Sequence, residues 1–337
     1  MIRAVCVREP GVVEIVERPS AILREQEVRL RIEAVGVCGS DVALLAGKHP
    51  YAVYPVTPGH ELAGRVTEAA AGVDVPVGER VTVFPLLTCG MCWACRAGEP
   101  NHCADVRVLG VHVDGGMTDE IVLPASLIRP VPGNVAAERA ALVEPTAVAV
   151  HACHRAGVAD GSSLAVIGSG VIGLLALQVA RAWGAGTLLA VDRVPRRLAL
   201  AEKLGATAVV DNRTQSVIEA SAGLAPDGFD AVLDLVGSES TLKDAFAISR
   251  RGGTVVPVAL PHGTTSIDFE PVYRKELTLR ATRLYAADFD DAIPLVASGR
   301  VAVESIITQR FRLEEAGGAL ALPGQSPAAA IKGVVTP

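Results

Sequence analysis

The stretch Leu164–Gly173, LAVIGSGVIG, decides the fold. It opens on four apolar residues, short enough for a buried strand. Gly168, Gly170 and Gly173 follow in G-x-G-x-x-G spacing, and the helical pattern LLALQVARAWGA begins at once behind them. A strand, a tight turn and a helix N-terminus in that order aim backbone N–H groups and the positive end of a helix dipole at an anion. The glycines alone are a weak signal. The flanking strand and helix supply what a dinucleotide pyrophosphate requires.

Working outward, a second strand, TLLAV, ends in Asp192, placed to accept hydrogen bonds from the adenosine ribose hydroxyls. A 2′-phosphate about 4 Å from that carboxylate would cost up to roughly 4 kcal/mol per charge pair, which favours NAD over NADP. Arg193 is expected over the adenine or in solvent. Gly168, Gly170, Val171, Ile172, Gly173, Asp192 and Arg197 make up the expected cofactor contacts. Beyond Asp192 the chain alternates helix PRRLALAEKLGA, strand TAVVD, a helix around QSVIEASAG, strand FDAVLDLVG, helix STLKDAFAIS and strand GGTVVPVAL. Such alternation predicts an α/β fold with a doubly wound parallel sheet. The N-terminal part has short alternating strands and Gly/Pro turns instead, which predicts a mainly β domain.

At 337 residues the chain exceeds the usual single-core size, so two domains are expected. Half of it is apolar, yet the most hydrophobic run, Ser163–Ala180, is broken by glycines and serines and ends at Arg181. The beginning, MIRAVCVREPG, carries charges where a signal peptide needs an apolar stretch, so a cytoplasmic location is expected. The net charge of −6 comes with no long Lys/Arg run, which argues against nucleic acid or a membrane and leaves a small-molecule substrate. A reducing compartment also disfavours disulfides among the seven cysteines.

Four of those cysteines, Cys89, Cys92, Cys95 and Cys103, follow the pattern C-x2-C-x2-C-x7-C on one loop. Four thiolates close the tetrahedral shell of a structural zinc and leave no position open for chemistry. A second constellation is scattered: Cys38 in GVCGSD, His60 and Glu61 in TPGHELAG, and Glu144 in the otherwise apolar LVEPTAVAVHA. Buried carboxylates need a cationic partner. Cys, His and Glu ligands from separate segments describe a catalytic zinc that keeps a place for water or substrate, moving the pKa of a bound water from about 15.7 to about 7. Ser40, too weak a base alone, is read as a proton relay. His102, His151, His154 and His262 read as packing, surface or loop residues.

With C-G-S-D, G-H-E, the four cysteines, E-P and G-x-G-x-x-G in this order, the chain resembles the zinc-dependent medium-chain alcohol dehydrogenases over essentially its whole length. Glu144 in place of a cysteine is similar to the polyol branch of sorbitol and threonine dehydrogenases. LGVHVDGG (Leu109–Gly116), LVEPTAVAVHA and the ending IKGVVTP are similar to bacterial sugar-acid dehydrogenases that oxidise L-gulonate or L-galactonate at C5.

The resemblance implies a GroES-like catalytic domain over 1–147 and 284–337 holding both zinc ions, with an NAD-binding Rossmann domain over 148–283 inserted between, in a homodimer or homotetramer. It further implies a catalytic zinc on Cys38, His60 and Glu144, with Glu61 a ligand or exchanging with water, and Ser40 passing the substrate proton outward. Hydride would move from a secondary alcohol to nicotinamide C4, leaving a ketone. Arg283, similar in position to an arginine of the polyol enzymes, would bind a substrate carboxylate bidentately, with His112 as a second substrate contact. Two departures stand out. Ala43 occupies the place where many relatives end the relay with a histidine, leaving His49 as the candidate, and Met117 replaces an aromatic residue and is expected to reshape the substrate pocket. A zinc-free quinone or enoyl reductase would lack Cys38, His60 and the cysteine loop. A redox-sensing protein without turnover is the non-enzymatic alternative.

Overall fold

The structure is a computed structural model that describes residues 1–259, 264–325 and 330–337; His262 and part of the Ala/Gly/Pro-rich stretch after Gly317 lie outside them. Two compact units are present. Met1–Glu144, Phe289–Ala297 and Val303–Pro337 form one, and Pro145–Asp288 with Ser298–Ala302 forms the other.

In the second unit, six strands pair in the order Ala208–Asp211, Thr187–Asp192, Ser163–Ile167, Phe229–Asp234, Ser249–Pro257, Thr278–Leu279. Every pair is parallel. The central strands are continuous apolar runs because helices cover both faces of such a sheet, and Leu164, Ala165, Val166, Leu189, Val191 and Val232 are fully buried. Strand order reverses between Ser163–Ile167 and Phe229–Asp234, so a crevice opens at their C-terminal ends. The glycine turn lies there. Behind it the helix Val171–Ala182 buries Gly173 to Ala180.

The first unit is built on a seven-stranded, mostly antiparallel sheet. Its path runs Ile307–Arg312, Lys332–Thr336, Glu27–Val37, Glu61–Ala69, Arg80–Val83, Ile128–Pro130, and Glu120–Pro124 also pairs with Glu27–Val37. Residues from near both ends of the chain therefore meet in one sheet. Glu27–Val37 shows the alternation the sequence predicts, with Val28, Leu30, Ile32 and Ala34 turned inward. A mainly β unit beside a parallel doubly wound sheet is the α/β architecture expected from the sequence.

Candidate active site

Pairing in the first unit's sheet gathers three of the four scattered ligand candidates, Cys38, His60 and Glu61. Glu27–Val37 runs antiparallel to Glu61–Ala69, with Gly36 opposite Glu61. Cys38 directly follows the first strand and N-caps the short helix Gly39–Leu45, while His60 directly precedes the second. Asp41, fully buried, fastens the two segments together: its carboxylate accepts from Cys38 N at 2.8 Å and from Gly59 N at 3.2 Å. Gly59 has φ +99° and no room for a side chain, since a Cβ there would sit 2.7 Å from Val35 Cγ1. The result is compact. Ligand atoms of Cys38, His60 and Glu61 all lie within 4.8 Å of one another.

Burial and charge in this cluster suit a cation. His60 and Glu61 are 6% and 1% exposed, and His60 Nδ1 and Glu61 Oε2 are buried without a hydrogen-bond partner among the described residues. An orphaned carboxylate oxygen such as Glu61 Oε2 is costly unless an ion or a substrate meets it. Asp41 Oδ1 stands 3.7 Å from His60 Nδ1. Burial disfavours a charged imidazole, yet Asp41, Cys38 and Glu144 together raise His60 well above the ordinary histidine range. Burial is also the chief reason Asp41 is raised, opposed by His60 and the two backbone N–H groups. Glu144, in the first turn of the helix Val143–Ala156, is 5% exposed and makes itself felt electrostatically at His60 and at Lys332. Lys332 is the buried cation here: its ammonium donates to Glu61 Oε1 at 2.5 Å and to Val37 O at 3.0 Å.

Around this cluster, Ser40 lies in the first turn of Gly39–Leu45 and is partly exposed. Ala43 O accepts from His49 N at 3.1 Å, so His49 is tied by its backbone to the position where the relay histidine is missing. Burial chiefly lowers His49, helped by His112 and His60. His112 Nδ1 accepts from Val108 N at 3.0 Å within its own turn, and its ring stacks on Tyr51. Met117 is fully buried against Gly59.

The four remaining ligand candidates form a separate group of sulfurs within 4.8 Å of one another. A one-turn helix, Trp93–Arg96, and the turn Pro100–His102 fold the loop back on itself. Cys89 Sγ lies 3.9 Å from Cys95 Sγ and 3.6 Å from Cys103 Sγ, and none of these cysteines is in a disulfide. The backbone hydrogen bond from Cys95 is the chief cause that lowers the Cys92 thiol to about 6, while Cys103 in the same cluster is raised to about 11, so without an ion the four thiols do not ionise alike. Four clustered, unbridged thiols match the donor set of a closed zinc shell.

In the second unit, Gly168 takes φ +103° and its N–H bonds Val191 O at 2.8 Å. Gly170 N-caps Val171–Ala182 with no side chain filling the helix end, which leaves its first N–H groups facing outward. Asp192 is 8% exposed and accepts from Ser169 N, Arg193 N and Val194 N at 2.8, 2.7 and 2.8 Å, with Arg197 Nη1 3.8 Å away. Asp192 therefore shapes the glycine turn as well as ending its strand.

Arg283 is exposed, four residues past the edge strand Thr278–Leu279. His151 and His154 both meet Asp288, Nδ1 to carboxylate, at 2.9 and 2.6 Å, and His154 stacks on Trp183. Both are engaged in tertiary contacts, in keeping with their reading as packing or surface residues.

Sequence reasoning did not single out Lys332, Asp41 or Asp288. A signal existed for Lys332: one charge inside the apolar ending IKGVVTP. Asp41 and Asp288 act through tertiary contacts that no local pattern encodes.

The chain has clear relatives among known proteins. Residues 24–133 match the family described as alcohol dehydrogenase GroES-like domain, and residues 171–298 match zinc-binding dehydrogenase. The chain is 34% identical over 309 residues to the sorbitol dehydrogenase of Bacillus subtilis, covering 90% of this chain and 88% of that one. It is 31% identical over 297 residues to the L-galactonate-5-dehydrogenase of Escherichia coli, covering 88% and 87%. A solved structure from Sinorhizobium meliloti 1021, described as a zinc-binding dehydrogenase and bound to NADP, superposes with a TM-score of 0.95 at 34% identity, covering 100% of this chain and 99% of that one.

Proposed function

The chain belongs to the zinc-dependent alcohol dehydrogenases with a GroES-like domain, an NAD(P)-dependent family that includes polyol and sugar-acid enzymes, and from that premise we propose that it oxidises a secondary hydroxyl of a sugar acid of the L-gulonate or L-galactonate type to a ketone, with NAD as acceptor. The observation that carries the reading is the buried Cys38, His60 and Glu61 cluster with the orphaned carboxylate oxygen Glu61 Oε2. No helix among the described residues is long and apolar enough to cross a membrane.

A zinc ion held here would supply the acidity that a substrate hydroxyl needs, and a bound nicotinamide would supply the hydride acceptor. The chain's own residues do the rest. Cys38, His60 and Glu144 would hold the ion, with Glu61 beside them. Asp41, at the Nδ1 side of His60, leaves Nε2 as the ligating nitrogen, the usual carboxylate–histidine arrangement. Ser40 takes the proton leaving the substrate hydroxyl and hands it outward, and His49, bonded to Ala43 through its backbone, is the imidazole proposed to receive it. Asp192 would accept the ribose hydroxyls while Gly170 admits the pyrophosphate. Arg283 would grip the substrate carboxylate bidentately, a contact a simple polyol cannot use.

A substrate screen tests the reading. Purified enzyme with NAD is offered sugar acids, polyols, amino alcohols and simple secondary alcohols, and NADH fluorescence is followed. Sugar acids should show the highest kcat/KM, and Arg283→Ala should raise KM for them while sparing neutral polyols. Turnover of unfunctionalised alcohols alone would refute the carboxylate anchor.

A further inference from the structure

A lysine ammonium buried to 2% exposure is rare, because burying a charge is expensive unless it is paired and hydrogen-bonded. Replacing a buried ion pair by apolar residues is often neutral or stabilising. The Lys332–Glu61 pair therefore needs a reason besides stability, and its position supplies one. Lys332–Thr336 pairs antiparallel to Glu27–Val37, with Gly333 opposite Val37, so Lys332 stands at the end of the strand that leads into Cys38. Its ammonium reaches Glu61 Oε1 and Val37 O, the carbonyl immediately before Cys38. Glu61 Oε2 has no hydrogen-bond partner among the described residues. That oxygen lies over Gly36, where a Cβ would come within 2.0 Å of it, so the backbone has been cleared to let it sit there.

Charge tells the same story. The ammonium lies against one ligand candidate, Glu61, and against the carbonyl that leads into another, Cys38. Three anionic side chains around a dication leave one negative charge over, and Lys332 matches it.

We propose that Lys332 is a positioning residue of the catalytic metal centre: by tethering Oε1 it fixes which oxygen of Glu61 is offered to the ion and balances the charge of the ligand set. The inference rests on the metal centre proposed above and goes beyond it by assigning a residue from the C-terminal strand.

The test uses the full-length enzyme with cobalt in the Cys38 site and zinc retained in the cysteine loop. Two readouts are taken, the visible cobalt spectrum and the rate at which dipicolinate strips the ion, for wild type, Lys332→Met and Lys332→Arg. Loss of an outer-shell partner typically weakens metal binding roughly 10- to 100-fold. Lys332→Met should accordingly lose cobalt at least about tenfold faster with altered d–d bands, and Lys332→Arg should recover both to near wild type, while the cysteine-loop zinc stays put in all three. A folded Lys332→Met with the wild-type spectrum and stripping rate overturns the proposal. If Lys332→Met does not fold, Glu61→Gln/Lys332→Met, which leaves no unpaired buried charge, takes its place. A cobalt spectrum matching that of Glu61→Gln alone supports action through Glu61, and a wild-type spectrum overturns it. Should wild type take up metal only in the cysteine loop, the centre itself fails, and this inference with it.

Discussion

Two alanine substitutions three residues apart should separate folding from cofactor binding. A Cβ on Gly173 would lie 2.1 Å from Gly168 O and 3.1 Å from Gly168 C. Carbon–oxygen contacts ordinarily begin near about 3.3 Å, so the helix start and the glycine turn would have to part by roughly 1.2 Å. Neither side yields easily. The helix is buried from Gly173 to Ala180, and Gly168 is held by Val191 O. Overpacking of this kind costs about 1–3 kcal/mol. Gly170→Ala differs: its Cβ meets nothing within 4 Å, and φ −75° suits any residue. It removes only the room a pyrophosphate needs for close approach to the backbone. Thermal melts without cofactor should show Gly173→Ala lowered by several degrees and Gly170→Ala unchanged. Fluorescence titration with NADH should show both weakened, and if the Gly173→Ala strain appears fully in binding the loss is roughly 5- to 150-fold. A Gly173→Ala enzyme with wild-type Tm and affinity, or a Gly170→Ala enzyme that binds NADH normally, would refute the assignment of this turn.

Asp192 should make kcat/KM with NAD at least roughly tenfold higher than with NADP, and Asp192→Ala should erase the difference and lower Tm, because three turn N–H groups lose their acceptor; equal use of both cofactors by wild type would remove its proposed role. Cys89→Ser should cut zinc by one ion per chain and lower Tm, checked by metal analysis and calorimetry; unchanged zinc content would contradict a four-thiolate shell. For Asp288, burial would raise the carboxyl, but hydrogen bonds to His151, His154 and Ala286 N hold it well below the usual carboxylate range. A depressed folded-state pKa adds stability that is complete above the unfolded value of about 3.9 and fades as pH falls through the folded one. Asp288→Asn should therefore be destabilised in urea at pH 7, by a margin that narrows below about pH 4; a margin that does not change with pH would show that the carboxylate charge is irrelevant.

Much of this protein is legible in its sequence because its strongest signals are local. The Leu164–Gly173 stretch carries strand, turn and helix start together, and the β-α alternation after it yields the parallel sheet. The four-cysteine loop is closed by residues within one segment. Cys38, His60 and Glu61 are separately weak signals that only their donor chemistry joins into one metal constellation; antiparallel pairing of Gly36 with Glu61 accounts for their meeting. What stayed hidden depends on contacts between residues far apart in the chain. Lys332 lies 271 positions from Glu61, Asp288 lies 134 from His154, and Asp41 looks like an ordinary helix-capping residue until Gly59 and His60 fold onto it. Asp192 illustrates a subtler limit: its strand-end position suggests a ribose contact, but not that it also holds three N–H groups of the surrounding turns.

Anomalous diffraction from crystals of the zinc-loaded enzyme, recorded on both sides of the zinc edge, goes straight to the metal centre on which the chemistry depends. Two peaks per chain are predicted, one enclosed by Cys89, Cys92, Cys95 and Cys103 and one touching Cys38 and His60. A single peak, confined to the four cysteines in fully loaded protein, would contradict the account.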